Sequence, residues 1–193
     1  MNTIEIKKIT ENFLPFPSVR WVAKACSRDK ARWILRTIHI ENYKDQSVAV
    51  ATDGKRLHAA RLDIQYPAGN YDVISNNEKA MFLKETDCTD TFPNYCQVIP
   101  SYQKKEMKKM FFRKEHYVMM EGVRTFKIAV EIHKLNGAFF NIDYLVDAMD
   151  IFGACFVKQH AEQLAPLLIQ DTDSPKTWTR LAVIMPVRVP KED

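Results

Sequence analysis

Apolar and polar side chains alternate at period two in residues 4–9, IEIKKI, which predicts a half-buried strand. The period then changes. Val19, Val22, Ala23 and Cys26 stand at i, i+3, i+4 and i+7, which predicts one apolar helical face, and Pro17 and Ser18 suit its opening. Arg20, Lys24 and Arg28 share much of the opposite face. Three β-branched or alternating runs follow at 33–41, 47–53 and 57–64, and Asp53-Gly54 signals a tight turn between the last two. The opening stretch therefore reads β-α-β-β-β.

The centre is less regular. Residues 69–75 and 79–85 suit short strands, TFPNYCQVIP is a Pro-bounded extended segment, and residues 104–114 are a basic run, its KKEMKKMFF part a candidate short basic helix. Residues 116–122 and 125–132 read as a hairpin around Glu121-Gly122. The last third repeats the opening order. Phe139 and Phe140 suggest a short strand, and Asn141 can cap a helix with Ile142, Leu145, Val146 and Met149 on its apolar face and a stop at Gly153. Strands at 154–159, 165–171 and 180–189 complete a second β-α-β-β-β, a repeat of topology rather than of residues.

Composition fits a folded protein of 193 residues, 46% hydrophobic and 27% charged, with ample length for a core. No apolar run approaches a bilayer span, and MNTIEIKKITEN lacks the basic-then-apolar order of a signal peptide, so a cytoplasmic location is expected. Cys26, Cys88, Cys96 and Cys155 include no C-x-x-C pair, and His39, His58, His116, His133 and His160 share no ligand spacing. Neither a metal site nor a disulfide framework is expected. No nucleophile elbow, phosphate-binding loop or metalloprotease motif occurs, so the chain is read as a non-enzyme without a cofactor. The net charge of +4 permits contact with nucleic acid and does not establish it.

Position matters more than net charge. Residues 50–57, VATDGKRL, read by themselves as an ordinary hairpin turn with solvated Lys55 and Arg56. Alongside three other segments they point further. ATDGKRLHAARL resembles the A-T-D-G-H-R-L segment of the bacterial replicative sliding clamp family, the β subunit of the DNA polymerase holoenzyme. TFPNYCQVIP resembles that family's F-P-[DN]-Y-x-x-V-[IL]-P connector, FNIDYLVDAMD its N-x-x-Y-L-x-D-[AV]-L helix, and LAVIMPVRV its C-terminal V-[VI]-M-P-[MV]-R-[LV] strand. The four motifs occur in the family's order. The length departs from the family, because three domains of two β-α-β-β-β units each do not fit in 193 residues. What remains looks like the first half of the middle domain joined to the last half of the third.

The resemblance implies an α+β, DNA-clamp-like fold in which two β-α-β-β-β halves pack their helices on a curved antiparallel sheet. It would be a single domain over 1–193, with half one at 1–65, a β-hairpin connector at 66–136 and half two at 137–190. It also implies a shallow groove for short linear peptides of replication proteins. Carried over by position, that groove uses Thr52, Gly54, Lys55, Arg56 and Leu57, then Pro93 and Val98, then Leu164 and Pro166, and finally Val183, Met185, Pro186, Val187 and Arg188. Lys55 stands where the family commonly has histidine, and Val187 where methionine is frequent. As chemistry the set is coherent: aliphatic anchors, an adaptable methionine and two arginines able to hold carbonyls or carboxylates. Read singly, the valines and Leu57 are equally at home in a core.

Clamps meet duplex phosphates through basic helices without reading bases, which here implicates Arg20, Lys24, Arg28 and Lys30. A second positive cluster comprises Lys104, Lys105, Lys108, Lys109, Arg113 and Lys114, interleaved with Met107, Met110, Phe111 and Phe112. It reads equally as a solvated segment over an apolar strip. The second helix dissents, since Asp143, Asp147 and Asp150 would repel phosphate. Two functional readings follow. One is a clamp-like replication or repair factor that binds peptide-bearing polymerase-type partners and duplex DNA and assembles as a homo-oligomer; the other is a monomeric adaptor or competitor that keeps the groove and does not encircle DNA.

Overall fold

The computed structural model describes residues 2–7, 15–100, 107–113, 129–134, 137–152, 154–160, 162–172 and 178–188. The chain divides into two compact units, Met1–Asn94 and Tyr95–Asp193.

The first unit contains β1 (Thr3–Lys7), α1 (Pro15–Ala23), β2 (Ile38–Tyr43), β3 (Gln46–Thr52), β4 (Arg56–Leu62), β5 (Gly69–Asn76) and β6 (Ala80–Glu85). Its strands are hydrogen-bonded in the order β1-β6-β5-β2-β3-β4, each pair antiparallel. Residues 69–85, placed by sequence in the connector, thus lie within this sheet as a hairpin between β2 and β1. The helix α1 packs on β3 and β4. Val19 and Val22 are fully buried as the apolar period predicts, but the covered face also takes in Phe16, Ser18, Trp21 and Ala25, while Ala23 and Cys26 are only partly covered. A tightened last turn explains the rotation: Lys24, Ala25 and Cys26 donate to the carbonyls three residues back, turning Ala25 inward.

The expected strand at 33–41 begins only at Ile38, because Trp33–Arg36 form a 3-10 turn. Its geometry is fixed locally. The Thr37 hydroxyl donates to the Ile34 carbonyl at 2.7 Å, and the Ser27 amide donates to Leu35 O at 2.7 Å, so the carbonyls a strand would use are already satisfied.

The second unit contains β7 (Met107–Arg113), a helical segment α2 at 129–134, α3 (Ile142–Met149), β8 (Ala154–His160), β9 (Leu167–Gln170) and β10 (Arg180–Ile184). Within it the strand order is β10-β9-β8-β7, again antiparallel. The basic segment 107–113 is therefore a strand and not a helix, since all seven of its residues pair along β8. Residues 129–132, expected as hairpin strand, are helical. Ile132 turns inward, Lys134 and Glu131 pair at 2.9 Å on the outside, and Gly137 closes the segment at φ +69° by donating to His133 O. The hairpin tip at Glu121-Gly122, the positions Lys104, Lys105 and Lys114, and Gly153 lie outside the described residues.

Asn141 caps α3 as expected, its side chain accepting from the amides of Asp143 at 2.8 Å and Tyr144 at 3.4 Å. The buried face differs from the expected one. Leu145, Ala148 and Met149 are covered, whereas Ile142 and Val146 are 44% and 37% exposed. Phe139 forms a one-residue bridge with Val187, whose amide donates to Phe139 O at 2.7 Å. Antiparallel pairing with each helix laid on its own unit's strands, α1 on β3 and β4 and α3 on β10, is the α+β arrangement the resemblance implies.

Candidate functional site

The turn joining β3 to β4 is built almost entirely from side chains that hydrogen-bond the backbone. The Asp53 carboxylate accepts from the amides of Lys55 at 2.9 Å and Arg56 at 3.0 Å, and Thr52 Oγ1 accepts from the Gly54 amide at 3.1 Å while donating to Arg56 O at 2.6 Å. Gly54 sits at φ +86°, a region that disfavours any side chain. Arg56, expected to be solvated or at a groove rim, is buried: Nε donates to Asp53 Oδ2 at 3.1 Å, and Nη2 donates to Lys24 O at 2.6 Å. The guanidinium thereby ties the turn to the C-terminal end of α1. Leu57 is 2% exposed and belongs to the core, so the turn presents Gly54 and Lys55 to solvent.

Beside α1, the first unit holds a concavity of about 720 Å³. One wall is α1 with the loop after it, bearing Arg20, Lys24, Arg28 and Lys30; the 3-10 turn adds Trp33 and Arg36; the other wall is β5 with Asp72, Ile74 and Asn76. Five cations face one carboxylate. The sequence brought forward the first four cations but missed Trp33, read as a strand residue, and Arg36, whose guanidinium lies 5.1 Å from the Trp33 ring centre. Cys26 also lines this concavity, and burial pushes its thiol up to about 12 against a weaker opposing pull from the Arg56 charge. It is therefore a thiol and not a thiolate nucleophile near neutrality.

The second unit offers a surface of different character. Met185 and Val187 follow β10 at 39% and 47% exposure, and the Val187–Phe139 bridge sets them beside Phe139, itself 47% exposed. Gln163 Nε2 donates to Gly137 O at 2.8 Å, which brings the turn carrying Leu164, 53% exposed, to the start of the same segment. Exposed apolar side chains at this density mark interaction surfaces more often than chance exposure. Pro166 and Pro186 are partly covered and Arg188 is exposed. Val183 is 2% exposed and packs in the core, so of the aliphatic anchors named from sequence it joins Leu57 inside. Pro93 is exposed in the first unit and Val98 in the second. Lys108 and Lys109 lie on β7. Among the described residues no three His, Cys, Asp or Glu side chains gather to hold a metal ion, and no helix is long and apolar enough to cross a membrane.

No protein-family model matches the sequence, and no curated protein matches it. Solved structures do. The chain superposes on the DNA polymerase III β subunit of Thermotoga maritima with a TM-score of 0.65 at 15% identity, covering 97% of this chain and 66% of that one. The DNA polymerase sliding clamp of Bacillus subtilis matches with a TM-score of 0.65 at 14% identity, covering 98% and 65%. A Pseudomonas aeruginosa sliding clamp solved bound to griselimycin gives 0.63 at 15%, covering 97% and 66%. The chain spans about two thirds of the length of these structures. At such identities the likeness is one of fold, and the fold expected from the four motifs is the fold found: this chain is built as bacterial sliding clamps are built.

Proposed function

We propose that the protein is a clamp-like DNA replication or repair factor, non-enzymatic and cytoplasmic, that binds short linear peptides of polymerase-type partners and contacts duplex DNA without reading its sequence. The observation that carries this reading is the match of nearly the whole chain to sliding-clamp structures, with the four motifs in the family's order. The exposed Leu164, Met185 and Val187 supply apolar purchase for a peptide, and Arg188 a cation for its carbonyls or terminal carboxylate. Among the residues carried over from the family, Thr52, Arg56, Leu57 and Val183 would act by holding the presented surfaces in shape, because they are buried. On the DNA side, Arg20, Lys24, Arg28 and Lys30 would neutralise phosphates, and the chain would act as one clamp-like domain able to form homo-oligomers.

The adaptor reading keeps the peptide surface and drops the duplex. It draws on α3, where Asp143 and Asp150 are exposed and unfavourable to phosphate. Calorimetric titration with a clamp-type peptide, glutamine then leucine with a terminal apolar pair, tests the shared part of both readings. The expected affinity is on the order of micromolar, because a shallow and solvent-open surface buries little area. Met185→Lys should abolish binding, and Lys134→Ala, at an exposed ion pair, should leave it intact. A folded wild type that ignores the peptide, or a Met185→Lys variant that binds normally, would sink the assignment. Duplex affinity at low salt and sedimentation mass then separate the two readings.

A further inference from the structure

The concavity beside α1 has more in it than a phosphate contact requires. A rigid duplex presents phosphates outward and keeps its bases stacked inside, so cations alone suffice to bind it. Here the cations share the concavity with a large aromatic ring, that of Trp33, which is 64% exposed. Arg36 stands over the ring, and Ile74 on the opposite wall is 62% exposed, so apolar surface lies across the concavity from the cations. Asn76 on β5 adds an exposed amide able to meet a base edge.

The platform is preformed. Asp29 Oδ1 accepts from the Ala31 amide at 2.9 Å, Ser27 Oγ accepts from the Asp29 amide at 3.1 Å, and Ser27 N and Thr37 Oγ1 pin the 3-10 turn from both sides. A loop held this way loses little entropy on binding. Its volume of about 720 Å³ falls in the range of ligand-sized sites. A flat π face set among guanidinium and ammonium groups is the arrangement that binds unpaired nucleotides, where stacking adds to charge neutralisation.

We infer that this concavity binds single-stranded nucleic acid, with one unpaired base stacked on Trp33 and the flanking phosphates held by Arg20, Lys24, Arg28 and Lys30. The inference rests on the reading of this helix face as a nucleic-acid surface and adds an unpaired strand as its ligand. An inorganic anion would leave Trp33 without a role. An acidic peptide would satisfy the cations but offers no planar partner, apart from aromatic residues, for the ring.

Anisotropy titration of a dye-labelled short oligothymidylate tests it, with the wild type's tryptophan emission as a second readout, since Trp21 is buried and Trp33 is the exposed reporter of the first unit. Binding should raise the anisotropy and quench the wild type's emission, and Trp33→Ala should weaken the affinity by about tenfold or more, the loss typical of one stacked base. Trp33→Phe, which keeps a π face and guards against a folding artefact, should retain most of the affinity. The abasic analogue of the oligomer should bind weakly and be indifferent to Trp33→Ala. Arg28→Ala with Lys30→Ala should weaken both oligomers and flatten the salt dependence. Equal affinity for oligothymidylate and its abasic analogue, tighter binding of polyglutamate than of the oligomer, or an unaltered Trp33→Ala would each overturn the inference. A salt-sensitive duplex complex without quenching by the oligomer overturns this inference and leaves the duplex reading standing. Oligomer binding with no duplex affinity does the reverse.

Discussion

The two units each lay a helix on antiparallel strands yet turn opposite chemistry outward. In the first, α1 buries Trp21, Val19 and Val22 and carries Arg20 and Lys24 beside a cationic hollow. In the second, α3 buries Leu145, Ala148 and Met149, carries Asp143 and Asp150 on its exposed positions, and leaves Ile142 and Val146 uncovered. The turn after β3 is locked by a buried arginine, whereas the segment after β10 is held by a single backbone bridge and shows methionine and valine to solvent. A shared scaffold thus fixes the inward faces and leaves the outward ones free to diverge, a basic one suited to phosphate and an apolar one suited to peptide.

The comparison can be broken most severely at Arg56. Arg56→Ala leaves the Asp53 carboxylate and the Lys24 carbonyl without this donor in a largely buried site, and should lower the first unit's stability by about 3 kcal/mol. Urea unfolding would register it, and a loss below ~1 kcal/mol would mean the guanidinium is not the tie between turn and helix. Gly54→Ala comes next. At φ +86° the new side chain should cost about 1–2 kcal/mol, with its Cβ 3.2 Å from the yielding end of Arg32. In the second unit Asn141→Ala removes the acceptor for two α3 amides and should cost about 1 kcal/mol. Amide exchange should then speed up in α3; an unchanged α3 would mean the cap does not hold the helix end.

The smallest effect near neutrality concerns Cys26. Its folded value of about 12 lies above the ordinary 9.0, so the neutral thiol is favoured by the fold. That contribution is fully present below pH 9 and is lost as pH rises toward 12. Cys26→Ala should flatten the alkaline fall in melting temperature, and thiol labelling near neutrality should modify the exposed Cys96 well before Cys26.

Much of this scaffold was legible in the sequence because short-range chemistry dictates it. Asp53-Gly54 names a turn, Asn141 names a cap, and apolar or β-branched runs name β3, β4, β9 and β10. The misreadings share a cause, namely partners far away in the chain. Residues 107–113 look like a basic helix until β8 supplies a partner for every residue, and Trp33–Arg36 look like strand until Thr37 and Ser27 claim their carbonyls. The phase of the α3 stripe depended on which side β10 covers, a tertiary fact that left Ile142 and Val146 outside. For the candidate surfaces, the C-terminal motif pointed to Met185 and Val187, and the polar face of the helical period to Arg20, Lys24 and Arg28. It could not tell buried Arg56, Leu57 and Val183 from exposed ones, and it gave no signal for Trp33, whose exposure follows from the 3-10 turn.

The most direct test of the central claim is a paired titration in which labelled duplex and labelled clamp-type peptide are each bound by wild type, by Met185→Lys, and by the combined Arg20→Ala, Lys24→Ala and Arg28→Ala variant. The account predicts separation: Met185→Lys loses the peptide and keeps the duplex with its salt slope, and the triple variant keeps the peptide while its duplex affinity falls and its slope flattens. If each folded variant loses both ligands, or neither variant loses its own, the two units do not divide the work, and the likeness to sliding clamps extends no further than the fold.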